Sequence, residues 1–197
     1  MTRHPHTLFL AVASLLASGL LLVRAAPAGA GLPLEDYAPY QGASRCTPRA
    51  KPGTLVLARW IRSRHGSSTS VSRACRRDRD VTSEHQEGRA IDWRADAATR
   101  KGRKAARALL KDLFADDARG NPAALARRAG VMYVIWDDQM YAAWRGFEPE
   151  PYLSSSCKRR SRCSKTLRHR DHVHVSLTRT AARGRTSFYL RRSGADG

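Results

Sequence analysis

Val131-Met132-Tyr133-Val134-Ile135-Trp136, running through Asp137-Asp138 into Met140-Tyr141-Ala142-Ala143-Trp144, is the stretch whose reading decides the fold. Its first six residues are β-branched, aromatic or long apolar side chains, the composition of a strand. Asp137-Asp138 then turns the chain into a second apolar run. A connection that short joins antiparallel strands, because a parallel pair needs a crossover of a dozen residues or more. The stretch therefore reads as a hairpin in the middle of a sheet, although Asp-Asp is a weaker turn signal than Asp-Gly.

Upstream, residues 99–114 set Ala105, Ala108, Leu109, Leu110 and Leu113 against an Arg/Lys face, the pattern of a packing helix. Asn121 and Pro122 supply the N-cap and first position of a short helix that ends at Gly130. Residues 54–65 predict another helix, capped by Thr54 and stopped by Gly66. Residues 67–70 read as a turn, 71–75 as a short strand and 76–80 as a charged loop. Ala90-Ile91-Asp92-Trp93 reads as an internal strand. Downstream, residues 148–170 form a long loop rich in Pro, Ser and basic residues, and residues 172–177 form the last strand. Helices interleaved with antiparallel strands define an α+β domain, a central and mostly antiparallel sheet with helices packed on it.

The domain organisation follows from the ends. Arg3, His4 and His6 precede an apolar run from Leu8 to Val23 that closes in Ala28-Gly29-Ala30, so residues 1–30 read as a secretory signal peptide cleaved after Ala30. The run is broken by Ser14, Ser18 and Gly19 and is shorter than a spanning helix needs, so no stable membrane span is expected. Residues 31–50 are an extended lead-in, 51–190 one domain, and 191–197 a basic tail. Cleavage removes Arg3 and Arg24 and no acid, lowering the formal charge from +19 to +17. Such a field attracts polyanions, and an exported protein meets anionic wall polymers before it meets nucleic acid. No nucleic-acid-binding motif or basic stripe with aromatic spacing is present, so nucleic acid is not expected as a partner. Cys46, Cys75, Cys157 and Cys163 all lie in the exported part, where an even count implies two disulfides. Three pairings exist; Cys46 with Cys75 and Cys157 with Cys163 is the one we favour. Their spacing does not suit a structural zinc knuckle.

The residues that carry chemistry sit in two distant segments. Ser83-Glu84-His85-Gln86-Glu87-Gly88-Arg89-Ala90-Ile91-Asp92-Trp93 supplies His85 and Asp92, and Asp171-His172-Val173-His174-Val175 supplies His174. Two imidazoles and a carboxylate suit a catalytic zinc with one position left open. Residues seven apart point to opposite faces of an unbroken strand, so convergence of His85 and Asp92 requires the bend that Gly88 permits. In a strand His172 and His174 share a face, which places His172 beside the open position as a general base, with Asp171 as the alternative. Five histidines follow the signal peptide, and His169, His172 and His174 fall within six residues.

The pattern Ser83-x-His85-x-x-Gly88-x-Ala90-x-Asp92, followed late in the chain by His172-x-His174, resembles the zinc metallopeptidase superfamily that includes lysostaphin, D-alanyl-D-alanine carboxypeptidases and the hedgehog signalling domain. The resemblance implies an α+β fold and zinc held by His85, Asp92 and His174. It also implies that His172, or Asp171 in the carboxypeptidase branch, acts near the catalytic water. Carboxypeptidase relatives hold the substrate carboxylate with an Arg in a Gly-Tyr-Arg-like segment. Here that region reads Ser72-Arg73-Ala74-Cys75-Arg76, which makes Arg73 the nearest counterpart. Hedgehog-type relatives keep the ligands without clear peptidase function, so the resemblance does not fix activity. The wider chain is similar to a group of secreted bacterial proteins through Lys51-Pro52-Gly53-Thr54, Tyr133-x-Ile135-Trp136 and Asp171-His172-Val173-His174-Val175-Ser176.

The expectation is therefore a secreted or cell-wall-associated zinc peptidase acting on amide bonds of peptidoglycan peptides. Its alternative is a non-catalytic envelope-binding protein that keeps a metal site and holds anionic wall polymers on a basic surface.

Overall fold

A computed structural model describes Met1 and residues 32–75 and 83–193. The expected signal peptide, the charged loop at 76–80 and residues 194–197 of the expected tail lie outside the described residues. The six strands are β1 (Thr69–Ser70), β2 (Ala90–Arg94), β3 (Val131–Trp136), β4 (Gln139–Ala142), β5 (Pro149–Pro151) and β6 (His172–Leu177). They form one sheet in the order β1-β2-β6-β3-β4-β5, with every neighbouring pair antiparallel. The helices are α1 (Pro52–His65), α2 (Arg100–Phe114), α3 (Ala124–Arg128), α4 (Arg179–Ala182) and α5 (Ser187–Ser193). This is the α+β architecture expected from the sequence.

Alternation along the strands divides the sheet into two unlike faces. On β2 and β6, Ile91, Trp93, Val173, Val175 and Leu177 point to one side and are fully excluded from solvent. Val134 of β3 joins them, and Leu57, Ile61, Leu109 and Leu113 of α1 and α2 pack into the same core. Each such side chain contributes about 1.5–3 kcal/mol by leaving water. Trp93 adds a hydrogen bond from its indole N–H to the Gly66 carbonyl at 2.7 Å. The alternate residues Asp92, His172, His174 and Ser176 occupy the opposite face, with Tyr133 and Ile135 of β3 beside them. Among the described residues a small apolar cluster of Tyr133, Ile135 and Ala142 with Met132 lies there, with Met140 and Tyr152 against it, and the rest of that face carries polar side chains.

The hairpin forms as read. Asp137 and Asp138 both take positive φ, 49° and 64°, the conformation of a tight turn whose twist matches its strands. α2 is capped by the Thr99 hydroxyl, which accepts from the Gly102 amide at 2.9 Å. Both disulfides have the favoured pairing, Cys46–Cys75 and Cys157–Cys163. Residues 32–50 form no helix or strand.

Several local expectations fail for identifiable reasons. α1 begins at Pro52, with Lys51 as N-cap; Thr54 lies inside the helix and its hydroxyl donates to the Gly88 carbonyl at 2.9 Å. The first strand is Thr69–Ser70, pairing with Trp93 and Asp92, so it falls where a turn was expected, and residues 71–75 are irregular. Asn121 does not cap a helix; its amide donates to the Asp117 carboxylate at 2.9 Å, and α3 starts after Ala123. The segment 148–170 is not all loop: Pro149–Pro151 forms an edge strand, a position that tolerates prolines because a missing N–H can face away from the ladder. After β6 the chain continues in α4 and α5, the latter ending at Ser193.

Candidate metal centre

His85 reaches the open face from a 3-10 turn, Glu84–Glu87, that ends at Gly88 with φ +65°. The Ser83 hydroxyl accepts from the His85 amide at 3.3 Å and starts that turn. A Cβ on Gly88 would sit 2.1 Å from the Arg49 carbonyl, so both the conformation and the space there require glycine. β2 then begins at Ala90, and Asp92 lies directly across from His174 in the β2/β6 register. The bend and the cross-strand pair thus bring together residues 89 apart in sequence.

Three donor atoms converge. His85 Nε2 lies 2.9 Å from Asp92 Oδ1 and 3.2 Å from His174 Nδ1, and His174 Nδ1 lies 3.0 Å from Asp92 Oδ1. These are the donors that could hold a metal ion. Ligands around a tetrahedral zinc at 2.0–2.2 Å stand about 3.3–3.6 Å apart, so the triangle is within a few tenths of an ångström of such a site. Two imidazole nitrogens and a carboxylate oxygen this close are bridged by a proton or by a cation, and three such donor atoms around one point fit a metal. Burial pushes the His85 imidazole toward its neutral form, which is the ligating form. Burial opposes the charge on Asp92, but its contacts with His174 and His85 outweigh that and hold the carboxyl well below the usual range.

The surroundings orient these side chains. His174 Nε2 contacts Ser176 Oγ at 2.9 Å, leaving Nδ1 for the triangle. Tyr133 stacks on the His174 ring at 5.6 Å, and its hydroxyl donates to Glu84 Oε2 at 2.7 Å. Burial raises the Tyr133 phenol far above its ordinary value, so it remains a neutral donor.

His172 projects onto the same face, with Nε2 3.5 Å from Asp92 Oδ1. Its Nδ1 lies 2.6 Å from Asp171 Oδ1, and Asp171 also accepts from the Thr166 hydroxyl at 2.6 Å. Asp171 therefore contacts His172 on the side away from the triangle. Arg73 is exposed and borders the cleft, its amide donating to the His85 carbonyl at 3.2 Å. The cleft over the triangle has a volume of about 230 Å³. A second groove of about 540 Å³ passes the edge strand β1 and shares Asp92, Thr166 and His172 with it.

Sequence reasoning gave no role to His169. It adopts φ +49°, and its ring stands 4.8 Å from that of His172 and 5.5 Å from that of His174. Its Nδ1 is buried without a hydrogen-bond partner among the described residues, and burial pushes the imidazole down to about 3. The signal available was the crowding of three histidines into six residues. Glu84 and Tyr133 were also missed as supports of the site, because their pairing depends on β3 and β6 being neighbours.

Fold and site together define a class: an α+β protein whose antiparallel sheet is covered by helices on one face and carries a His/Asp/His centre on the other. The chain belongs to the family described as VldE, C-terminal domain, whose model matches residues 46–158. That segment contains His85 and Asp92 and stops short of His172 and His174. No curated protein and no solved structure matches the chain. Among the described residues no helix is long and apolar enough to cross a membrane. The two disulfides are consistent with an extracellular, oxidising environment.

Proposed function

We propose that the chain is a zinc-dependent peptidase of the cell envelope, hydrolysing amide bonds in peptidoglycan peptides. The observation that carries this reading is the convergence of His85, Asp92 and His174, with the Nε2 of His172 facing Asp92. A zinc ion held there supplies Lewis-acid polarisation of a carbonyl and acidification of a water. His172 accepts a proton at Nε2 and returns it to the leaving amine, as a general base and then acid. Asp171 is the orienting group rather than the base: by accepting from Nδ1–H it fixes the tautomer in which Nε2 carries the free lone pair. Arg73, at the border of the cleft, offers a cation to a substrate carboxylate. The resemblance to the lysostaphin and carboxypeptidase superfamily, export and the basic surface supply the choice of peptidoglycan as substrate.

The test is metal stoichiometry after purification, together with release of fragments from purified muropeptides. One zinc per chain is expected, with hydrolysis abolished in both His174→Ala and His172→Ala and zinc retained only in the latter. Zinc-loaded protein that leaves walls and muropeptides intact overturns the peptidase reading, and absence of stoichiometric zinc overturns the site.

A further inference from the structure

On the far side of the turn that carries His85 lies a cavity of about 430 Å³ that shares no lining residue with the metal cleft. One wall is the lead-in, through Ser44, Arg45, Thr47 and Lys51; another is α4 and the residue after it, through Arg179 and Arg183. The floor is Glu87 and Arg89. Arg89 is almost wholly buried: its Nε pairs with Glu87, and its other nitrogens donate to the Leu177 carbonyl at 2.7 Å and to the Gln41 carbonyl.

The lining is strongly unbalanced in charge. Five basic side chains face one carboxylate, a formal excess of +4. That carboxylate, Glu87, is already engaged by Arg89, by Arg179 at 3.2 Å and by the amides of Ser44 and Arg45 at 2.9 and 3.2 Å. Arg45, Lys51 and Arg183 have no acidic partner among the described residues. Like charges gathered around a concave surface raise the local potential and concentrate an anion there.

The walls are also held in place. Cys46, between Arg45 and Thr47, is bridged to Cys75. The Thr47 amide donates to the Gln86 carbonyl at 2.7 Å and the Lys51 amide to the Gly88 carbonyl at 3.0 Å. A solvated arginine surface needs no such scaffold. A fixed cavity with several unpaired cations suits an anion with oxygens on several sides, and guanidinium groups match phosphate oxygens bidentately.

We propose that this cavity binds a phosphoryl group, carried by a soluble phosphate or by a phosphodiester polymer. Arg45, Lys51 and Arg183 are its direct cations, while Arg179 and Arg89 neutralise Glu87 beneath them. The proposal stands apart from the peptidase reading, since it uses none of the metal-centre residues.

The experiment is titration of the full chain at fixed ionic strength with inorganic phosphate, with poly(glycerol phosphate) and with succinate. Wild type is compared with Arg45→Ala/Arg183→Ala and with Lys104→Ala/Arg107→Ala, which removes the same charge from the exposed face of α2. Expected is at least ~10-fold weaker phosphoryl binding in the cavity variant, the loss of a charge-assisted hydrogen bond, and none in the α2 variant. Arg183→Glu, also at an exposed position, is expected to weaken binding further. Binding of inorganic phosphate as tight as that of the polymer per phosphoryl group identifies a soluble ligand; binding of the polymer alone identifies a phosphodiester chain. Equal weakening in both double variants, equal affinity for succinate, or no binding of either phosphoryl probe overturns the proposal.

Discussion

The two faces of the central sheet are built from the same two strands and obey opposite rules. Ile91 and Trp93 of β2 and Val173, Val175 and Leu177 of β6 meet helices and are held by exclusion from water. One residue along in each case, Asp92, His172, His174 and Ser176 are held by one another, through contacts of 2.9 to 3.5 Å. Stability resides on the first face, where apolar burial is undirected and large. The second face gains little by burial, since its polar groups exchange water for each other at near parity. What it gains is position. An antiparallel register places Asp92 opposite His174, and alternation places His172 on the same face.

The comparison predicts that substitutions on the two faces will separate stability from metal binding. The largest effect belongs to the helix face. Trp93→Ala removes a fully buried ring and its bond to Gly66 and is expected to cost ~3–5 kcal/mol, read as a lowered midpoint in urea. His174→Ala on the other face is expected to cost the metal-free protein less than half of that while abolishing stoichiometric zinc, read by elemental analysis of folded protein. Equal destabilisation by the two variants in the absence of metal would erase the distinction between the faces.

Gly88→Ala probes the joint between the faces. Its Cβ would meet the Arg49 carbonyl at 2.1 Å in a backbone conformation unfavourable for alanine. Strain of that kind costs more than about 1 kcal/mol and displaces the turn bearing His85. A lower melting temperature together with weaker zinc binding is expected. A variant with weakened stability and unchanged zinc affinity would show that the His85 position does not depend on the turn.

The sequence discloses the helix face more readily than the site face, and the reason is physical. Alternating or continuous apolar runs such as residues 131–136 declare a strand locally, and Thr99 and Gly66 mark helix ends. Gly88 disclosed that a bend was needed for His85 and Asp92 to converge, and His172-x-His174 disclosed a shared face. What no local pattern carries is that β6, the last strand, inserts between β2 and β3. That insertion brings Tyr133 onto His174 and Glu84 under Tyr133, so these supports were invisible in the sequence. The errors at Thr54 and Asn121 share a cause: each polar side chain that looked like a cap is committed to a partner outside its helix's first turn.

Within the site face, the roles proposed for His172 and Asp171 separate a group that would react from one that would position it. Asp171→Asn removes the carboxylate that accepts from His172 Nδ1–H, without touching the metal triangle. Zinc content and melting temperature are expected to stay near wild type, while peptide hydrolysis falls by at least ~10-fold, the usual cost of losing an orienting partner. The fall is expected in kcat with KM near wild type, since Asp171 orients His172 and does not bind substrate. If hydrolysis were abolished as fully as in His172→Ala, or the loss lay in KM, the orienting role would be wrong.

The smallest effect is at the loop that delivers His169 and His172 to the sheet. Its backbone is tied to the β3/β4 turn, the Asp137 amide donating to the His169 carbonyl at 2.8 Å and the Asp138 amide to the Arg168 carbonyl at 3.1 Å. Two ion pairs reinforce that tie, Asp138 with Arg168 at 2.7 Å and Asp137 with Arg170 at 2.9 Å. The Arg168 hydrogen bond is the largest influence on Asp138 and, against burial, holds its carboxyl below the ordinary value. A group whose pKa is depressed in the folded state stabilises it at pH above the unfolded carboxylate pKa, about 3.9, and loses that contribution as pH falls below it. Local protection of the Asp137 and Asp138 amides from hydrogen exchange, once the intrinsic exchange rate is divided out, is thus expected to fall below about pH 6.5 because the loop holds His169 neutral, and the share contributed by Asp138 and Arg168 is expected to be constant from pH 7 to about 5 and to be lost toward pH 3. Arg168→Gln should lower the protection at pH 7 and flatten the decline between about pH 5 and 3, because the carboxyl then titrates nearer its ordinary value. A decline in that range that persists unchanged in Arg168→Gln would place the acid sensitivity elsewhere, leaving the loop held by its backbone bonds alone.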